Sequence, residues 1–365
     1  MKKKRLCLVI PSLQAGGMER VMSELAGYFC KKGEVEVHIV LYGKAPEFFY
    51  RVPDNLVIHK PRAVFDNRFR FYYTFLRMIF LRRSIKEIGP QSILSFGEYW
   101  NSFVLLALIG LPNPVFISDR CSPTKMHSFF HSILRRWLYP RAKGIVAQTE
   151  KAKQVYKSEF ENDNIVVIGN PIRLSGSNGT PRKRIVLTIG RLIESKNHDK
   201  IIELFCRINQ PGWRLVIVGG DALKQNNLFK LNELVRSLGA NSDVVLTGYR
   251  NDLDKFYNES SIFVLASDSE GFPNVIGEAM SAAMPVVSFD CMAGPSEMIT
   301  DGEDGYLVPV GDYSQFAERL ERLMVDGPLR LKMGLKAKES IQKFSVETIG
   351  SKFYNLILGN ENSSD

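Results

Sequence analysis

The sequence of 365 residues lacks the long apolar runs of a membrane-spanning protein. Its longest uninterrupted apolar run, Phe103 to Leu111, falls well short of the ~20 residues that a spanning helix needs. Cysteine is also scarce, and the five scattered residues argue against a disulfide framework or a cysteine metal site. The apolar stretch Leu6 to Ile10 after the basic start is too short for the core of a signal peptide. These absences predict a cytoplasmic protein without a spanning helix.

Several sequence motifs are missing as well. The glycine pattern of dinucleotide-binding proteins is absent, which argues against an oxidoreductase, and so is the P-loop pattern. No nucleic-acid-binding signature occurs, so we expect no nucleic-acid partner. Acidic residues are scarce in residues 1–170, which contain 26 Lys and Arg but 14 Asp and Glu, whereas residues 171–365 are nearly neutral. This asymmetry predicts an anionic partner for the N-terminal half, such as a membrane surface or a phosphorylated substrate.

Short apolar runs alternate with helical patterns over almost the whole chain. Such alternation predicts parallel sheets covered by helices, and here it occurs in two similar halves that are separated by a stretch rich in Gly, Ser, Asn and Pro. In sheets of this kind, ligands bind at the carboxyl ends of the strands. The predicted organisation is an N-terminal domain at 1–172, a linker at 173–182, a C-terminal domain at 183–344, a helix at 345–358 that could pack back onto the N-terminal domain, and a disordered tail at 359–365.

Residues 68–88 form a basic and apolar stretch. Neither Pro nor Gly interrupts it, which predicts one long helix. On a helical wheel, four of its cations fall on one side, whereas Arg70 and Arg77 fall on the opposite side, so the helix is not clearly two-faced. It is either an ordinary domain helix with solvated charges or a helix that lies among lipid headgroups. A second basic helix at 127–141 would add Arg135 to the same patch. The acceptor and membrane residues predicted from the first helix are Arg77, Arg82, Arg83 and Lys86.

Two loops have features that suit phosphate groups. Gly16 and Gly17 lie between the first predicted strand and a helix, where free amides and the helix dipole favour an anion, although a structural turn would explain them too. Gly190 follows the first strand of the second half, with Arg191 next to it and Lys196 five residues later. Two cations in such a loop suit a diphosphate, and the alternative is a pair of solvated loop cations.

The segment from Glu270 to Glu278, EGFPNVIGE, carries the strongest chemical signal. It follows a predicted strand at 262–266, and its glycine and proline shape a loop before the next helix. One carboxylate on the loop and one on the helix could accept hydrogen bonds from two sets of sugar hydroxyls. The alternative is a solvated loop acid followed by an exposed helix acid.

With these motifs, nearly the full length of the chain resembles the family 4 glycosyltransferases. The resemblance rests on the segments 11–20, 190–196, 245–249, 270–278, 290–297 and 305–309. It implies the α/β GT-B fold, in which two Rossmann-like domains face each other across a cleft. It also implies transfer of a sugar from a uridine diphosphate donor with retention of configuration and without a metal. The branch that it resembles includes N-acetylgalactosaminyl and galactosyl transferases that act on lipid-linked oligosaccharides.

The resemblance also implies roles for individual residues. Glu270 would contact the donor sugar and Glu278 the ribose. Arg191 and Lys196 would hold the diphosphate, and Gly17 would lie beside the phosphates; Glu270, Arg191 and Lys196 are the predicted catalytic residues. The other predicted donor-binding residues are Gly16, Gly190, Gly248, Tyr249, Gly271, Phe272, Pro273, Asn274 and Val275.

The expected acceptor is a saccharide, in particular one linked to polyprenyl diphosphate, reached at the inner face of the plasma membrane. Many relatives carry a histidine at a strand end where this chain has Ser118, Asp119 and Arg120, so no acceptor base is assigned. A nucleotide-sugar epimerase on the same fold and a non-catalytic membrane-associated scaffold remain as alternatives.

Overall fold

The computed structural model describes residues 3–14, 16–43, 48–62, 65–174, 181–222 and 225–359. The chain divides into two compact units, one formed by the residues up to Pro171 and from Val346 onward, the other by Ile172 to Ser345. Most of the predicted linker and all but the first residue of the predicted tail lie outside the described residues. Within the described ranges, no helix has both the length and the apolar character needed to cross a bilayer.

The first unit is built on a parallel sheet with the strand order β3-β2-β1-β4-β5-β6-β7. Its strands are β1 (Lys4–Ile10), β2 (Val35–Leu41), β3 (Val57–His59), β4 (Ser92–Phe96), β5 (Val115–Ser118), β6 (Gly144–Ala147) and β7 (Ile165–Val167). Its helices are α1 (Gly17–Lys32), α2 (Arg70–Ile88), α3 (Glu98–Ala107), α4 (Phe129–Leu138) and α5 (Glu150–Glu159). The central strands are buried, as expected for a parallel sheet with helices on both faces.

The second unit repeats this plan with the strand order β10-β9-β8-β11-β12-β13. Its strands are β8 (Ile185–Ile189), β9 (Arg214–Val218), β10 (Val244–Leu246), β11 (Ile262–Leu265), β12 (Val286–Phe289) and β13 (Gly305–Val308). Its helices are α6 (His198–Ile208), α7 (Asn227–Ser237), α8 (Leu253–Glu259), α9 (Asn274–Ser281), α10 (Pro295–Met298), α11 (Tyr313–Val325) and α12 (Gly327–Ser340). Both units therefore have the Rossmann-like α/β architecture that was predicted.

The last helix, α13 (Val346–Leu358), belongs to the first unit. It packs against α1, and its buried Phe353 lies 6.2 Å from the ring of Phe96 at the end of β4. The hydroxyl of Tyr354 donates to Glu34 Oε2 at 2.6 Å. The C-terminal helix thus completes the core of the unit that contains the N-terminal residues.

Each sheet has one point where the strand order reverses. In the first unit β1 lies between β2 and β4, and in the second unit β8 lies between β9 and β11. The loops after β1 and β4, and those after β8 and β11, therefore leave the sheet in opposite directions. This opens a crevice at the carboxyl ends of the strands, where ligands of open α/β sheets bind.

Candidate active site

Two loops of the second unit meet at its reversal point. One follows β8 and the other follows β11. The amide of Asp268 donates to the carbonyl of Ser195 at 3.0 Å, which ties the loops together. The side chain of Asn197 donates to the carbonyl of Ala266 at 2.8 Å and to Asp268 Oδ1 at 2.7 Å. The backbone around Lys196 is therefore held against the loop that carries Glu270.

The side chains of Lys196 and Glu270 form an ion pair across these two loops. Lys196 Nζ donates to Glu270 Oε1, and the two side chains are 15% and 13% exposed. The sequence analysis placed both residues in the donor site, but it assigned Lys196 to the diphosphate and Glu270 to the donor sugar. The structure joins a cation and a carboxylate that are 74 residues apart in the chain. A diphosphate that binds Lys196 would draw it away from Glu270 and leave Oε1 to accept from hydroxyls.

Arg191 lies on the same loop with its side chain exposed. Its carbonyl oxygen lies 3.3 Å from Nε2 of His198, a contact that requires the proton on Nε2. Burial lowers the pKa of His198 to about 4, so the ring is neutral at pH 7. The backbone of Arg191 is thus fixed while its guanidinium can reach a ligand. Sequence reasoning missed His198, whose signal was its place directly after the loop at the start of α6.

The loops after β8, β9 and β10 are packed backbone to backbone. A Cβ on Gly219 would lie 1.8 Å from the carbonyl oxygen of Gly190, so this approach requires glycine. The amide of Gly219 donates to the carbonyl of Gly248 at 3.1 Å. Next to Gly248, Tyr249 is exposed on the same edge. The predicted residues Gly190, Gly248 and Tyr249 therefore border one surface, and Gly219 completes it.

Glu278 lies on α9 and is buried, in contrast to the exposed helix acid that was the alternative to a functional role. Its Oε2 accepts a hydrogen bond of 2.7 Å from the hydroxyl of Tyr257 on α8. Tyr257 is itself buried, so the phenol fixes the orientation of the carboxylate. The predicted contact of Glu278 with a ribose stays a prediction.

The segment between the two glutamates is shaped from inside the unit. Phe272 is buried and packs edge to face on Phe344 with ring centroids 5.4 Å apart, so its side chain belongs to the core. A Cβ on Gly294 would lie 2.2 Å from Pro273 Cδ, and Gly294 has a positive φ of 113°, so glycine is required there. The remaining predicted donor-binding residues are half-buried on this loop and at the start of α9: Gly271, Asn274 and Val275.

Cys291 lies beside the Lys196–Glu270 pair. Burial, and secondly the carboxylate of Glu270, raise the pKa of its thiol to about 11. The thiol is neutral at pH 7 and therefore adds no charge next to the Lys196–Glu270 pair. Cys291 is one of the three buried cysteines, with Cys7 and Cys30, whereas Cys121 and Cys206 are half-buried.

In the first unit, the loop after β1 has an acid at its helix terminus. Gly16 caps the N-terminus of α1, and the hydroxyl of Tyr50 donates to its carbonyl oxygen at 3.0 Å. A Cβ on Gly16 would lie 2.1 Å from Glu19 Oε2, so the carboxylate of Glu19 folds over this turn. Burial raises the pKa of Glu19. The phosphate contact predicted for Gly16 and Gly17 therefore has to compete with Glu19 and stays a prediction.

The cations of helix α2 differ in how far they are buried. Arg83 and Lys86 are exposed, whereas Arg77 is buried. Arg82 is half-buried, and its Nη1 donates to the carbonyls of Ala107 and Ile109 at 3.0 and 2.7 Å. The prediction that Arg77 and Arg82 contact a membrane is therefore wrong. Arg77 faces the interior, and Arg82 anchors α2 to the end of α3, so neither offers a free charge to a membrane.

A cavity of about 540 Å³ lies within the first unit beside the loop after β1. Its lining includes Arg70 and Arg77 from α2 together with the aromatic side chains of Tyr42, Trp100 and Phe103. Aromatic faces with nearby cations suit a sugar ring that carries a negative charge. Among the four basic residues predicted to serve the acceptor, Arg77 is the one that lines this cavity.

Exposed aromatic and apolar side chains cover the outer side of α2 and α4. Helix α3 packs against both, so the three helices lie side by side on one face of the sheet. We call the following residues the aromatic surface: Phe71, Tyr72, Phe75, Phe129, Phe130, Ile133 and Trp137. Several large apolar side chains exposed on each of two helices are typical of an interaction surface. Phe80, farther along α2, is not part of this surface, because it packs against the core of the unit.

Arg135 on α4 does not belong to the basic patch to which it was assigned. It is buried, and its Nη2 donates to Asp119 Oδ2 at 2.6 Å. The hydroxyl of Tyr139 donates to the other oxygen of Asp119 at 2.7 Å. This ion pair holds α4 against the end of β5 and so supports the aromatic surface from below.

Comparisons with known proteins agree with this architecture. One protein-family model, described as Glycosyltransferase Family 4, matches residues 15–175, and another, described as Glycosyl transferases group 1, matches residues 173–340. The chain is 26% identical over 364 residues to an alpha-1,4-N-acetyl-D-galactosaminyltransferase of Campylobacter jejuni whose name specifies an undecaprenol-diphosphate-linked oligosaccharide, with 97% of this chain and 98% of that protein covered. It is 25% identical to the amylovoran biosynthesis glycosyltransferase AmsD of Erwinia amylovora, with coverage of 97% and 99%.

Among solved structures, the chain is similar to Anabaena HepE in complex with UDP-glucose. The TM-score is 0.79 at 17% sequence identity, with 96% of this chain and 98% of that chain covered. At this level of identity the likeness shows the fold.

Proposed function

The chain belongs to the family 4 glycosyltransferases, and we propose that it transfers a hexose or N-acetylhexosamine from a UDP-sugar to a lipid-linked saccharide, with retention of configuration. The Campylobacter relative named for an undecaprenol-diphosphate substrate supports this acceptor class. The HepE complex supports a UDP-sugar donor. The AmsD relative supports a place in bacterial surface-glycan assembly.

The Lys196–Glu270 pair at the reversal point between β8 and β11 carries the proposal. Negative charge develops on the leaving diphosphate as the bond to the anomeric carbon breaks. Lys196 and Arg191 would stabilise that charge more in the transition state than in the ground state. Glu270, once released from Lys196, would hold the hydroxyls of the donor sugar. With two protein cations in this role, we expect no metal to be required.

The acceptor is proposed to bind the first unit. Its cavity combines Arg70 and Arg77 with aromatic walls, which fits a saccharide joined to a phosphate. The excess of basic residues in the N-terminal half attracts such an anion from a distance. We propose that the cavity receives the acceptor and that the aromatic surface holds the unit at an anionic membrane.

The membrane proposal rests on the pairing of apolar and basic side chains. The exposed aromatic rings of α2 lie at its N-terminal half, and Arg83 and Lys86 are exposed nearer its C-terminal end. Aromatic rings can enter the headgroup region while the cations contact anionic lipid. The enzyme would thus work in the cytoplasm, peripherally on the inner face of the plasma membrane.

A donor screen tests the function. Purified protein is incubated with several nucleotide sugars and a polyprenyl-diphosphate-linked saccharide, and released nucleoside diphosphate is measured. We expect acceptor-dependent release of UDP from one UDP-sugar. An epimerase would interconvert nucleotide sugars without releasing UDP, and a scaffold would do neither, so either result would contradict the proposal.

The variant Glu270→Gln tests the site in the same assay, and its matched control comes from a second ion pair in the same unit. Lys183 and Glu259 pair at the amino end of β8, on the edge of the sheet opposite the proposed site. Glu259→Gln should therefore release UDP at the wild-type rate. Loss of activity in both Glu259→Gln and Glu270→Gln would mean that any lost ion pair impairs the unit, and the site assignment would fail.

A further inference from the structure

One guanidinium in the first unit has an unpaired edge. Arg120 follows β5, and its Cζ lies 3.7 Å from the ring centroid of Phe96 and 5.7 Å from that of Phe353. Its Nη1 donates to Asn170 Oδ1. Its Nε and Nη2 are shielded from solvent and donate to no acceptor among the described residues. These two nitrogens form the edge of a guanidinium that binds two oxygens of one phosphate or carboxylate in parallel.

The nearest acid is already committed elsewhere. Asp119 accepts from Arg135 through Oδ2 and from Tyr139 and Asn101 through Oδ1, at 2.6, 2.7 and 2.9 Å respectively. The carboxylate of Asp119 is therefore neutralised mainly by Arg135. Buried donors without an acceptor are costly, because they have lost their hydration without gaining a hydrogen bond. Among the described residues of the first unit, no acceptor pairs with the Nε and Nη2 edge of Arg120.

Arg120 stands where a ligand of this fold would bind. Phe96 ends β4, Arg120 follows β5, Gln148 follows β6 and Asn170 follows β7, so all four lie at the carboxyl edge of the sheet. Gln148 donates to the same oxygen of Asn170 that accepts from Arg120, at 2.8 Å. The amide of Asn170 is thus fixed by two donors, and the guanidinium lies over the ring of Phe96. The orientation of the open edge is set before any ligand arrives.

We propose that Arg120 binds a phosphate group of a substrate through Nε and Nη2. That phosphate belongs either to the diphosphate of the nucleotide donor or to the diphosphate of the lipid-linked acceptor. The choice between these two sources rests on the proposed function, whereas the anion site itself does not. Arg120 is thereby a substrate-binding residue that lies in the first unit, separate from Lys196 and Arg191 of the second.

The test measures diphosphate affinity by titration calorimetry of the full chain. The probes are UDP, geranyl diphosphate and inorganic diphosphate. Arg120→Met keeps an unbranched stem against the ring of Phe96 but removes the charge, and Arg51→Met removes an exposed arginine of the same unit as the control. We expect Arg120→Met to lower the affinity for at least one organic diphosphate by about 10-fold or more, with Arg51→Met unchanged.

The probe that loses affinity identifies the source of the phosphate. Loss for geranyl diphosphate alone assigns Arg120 to the acceptor, and loss for UDP alone assigns it to the donor. Affinities within twofold of wild type for all three probes in Arg120→Met would overturn the proposal. So would a wild-type protein that binds none of them. None of these titrations requires turnover, so they stand apart from a failure of the donor screen.

Thermal unfolding separates a binding role from a packing role. Because the unliganded guanidinium is buried with unpaired donors, Arg120→Met should have a Tm at least as high as that of Arg51→Met. A lower Tm together with unchanged affinities would assign Arg120 to stacking alone and overturn the proposal. If Arg120→Met does not fold, Arg120→Lys decides, because it keeps the charge without the two-pronged edge. A 10-fold loss of affinity there supports the proposal, and wild-type affinity contradicts it.

Discussion

Replacement of Glu270 by glutamine probes the ion pair at the centre of the proposed donor site. The change keeps the shape of the side chain but removes the charge that Lys196 Nζ contacts. It also removes a carboxylate acceptor for the hydroxyls of the donor sugar. The variant should therefore fold, bind UDP, and transfer sugar slowly.

The magnitudes follow from the burial of the pair. Two charges about 4 Å apart attract by ~4 kcal/mol at an effective dielectric of about 20, and desolvation offsets much of this for side chains only 13–15% exposed. Release of Lys196 should then strengthen UDP binding by up to about 10-fold. Loss of one preorganised charged group at a reacting centre typically lowers kcat by about 10²–10³-fold, and we expect that range for Glu270→Gln.

The assay combines UDP release under saturating donor with calorimetric titration of UDP. Glu259→Gln, which breaks the pair at the opposite edge of the same sheet, serves as the control. The combination of a lower kcat and equal or tighter UDP binding would be hard to obtain from misfolding. A Glu270→Gln variant with kcat within threefold of wild type would refute the assignment.

Four further predictions follow from the structure. Arg191→Ala and Lys196→Ala should each weaken UDP binding by about 10-fold, and unchanged calorimetric affinity in both would disprove the diphosphate clamp. Wild-type protein should co-sediment with anionic but not zwitterionic vesicles. The double variant Arg83→Gln and Lys86→Gln should bind anionic vesicles about 30-fold more weakly at low salt, since each cation contributes ~1 kcal/mol. Equal binding of the wild-type protein to both lipids would contradict the membrane proposal. Burial lowers the pKa of His198 from 6.5 to about 4. Its contribution of about 3 kcal/mol to the free energy of unfolding should therefore be complete above pH 6.5 and lost as the pH falls through 4. A His198→Gln protein whose stability has the wild-type pH dependence in acid would exclude this contribution. Transfer should continue in EDTA, and its loss with recovery on adding Mg²⁺ would show that a metal is needed.

The alternation of strands and helices was readable from the sequence because each buried strand is a continuous apolar run. The predicted strand at 262–266 is β11 (Ile262–Leu265), and the predicted helix at 68–88 is α2 (Arg70–Ile88) preceded by one 3₁₀ turn. Helix α3 was not predicted, because its second half runs into the continuous apolar stretch from Phe103 to Leu111, which shows no alternation. Local pattern thus predicts elements where one face, or both, is clearly marked.

The pairings within the site could not be predicted in the same way. Lys196 and Glu270 meet because β8 and β11 are neighbours, and strand order is not written in local sequence. Arg135 was assigned to the surface because arginines are mostly exposed, yet Asp119 neutralises it in the interior. That pair had one signal, since Arg135 lies three residues before the buried Leu138 and so on the same face of α4. The unpaired edge of Arg120 could not be predicted either, because its surroundings come from residues at the ends of four different strands.

Sugar transfer from a UDP-sugar with retention of configuration can be followed in the NMR spectrum of the reaction mixture. The donor identified in the screen, an α-linked UDP-sugar, is incubated with the enzyme and the acceptor, and the anomeric proton of the transferred sugar is observed. We expect a new α-anomeric signal in the product as the donor signal declines and UDP appears. A β-anomeric product, or conversion of the donor into another UDP-sugar without a new glycosidic linkage, would disprove retaining transfer by this enzyme.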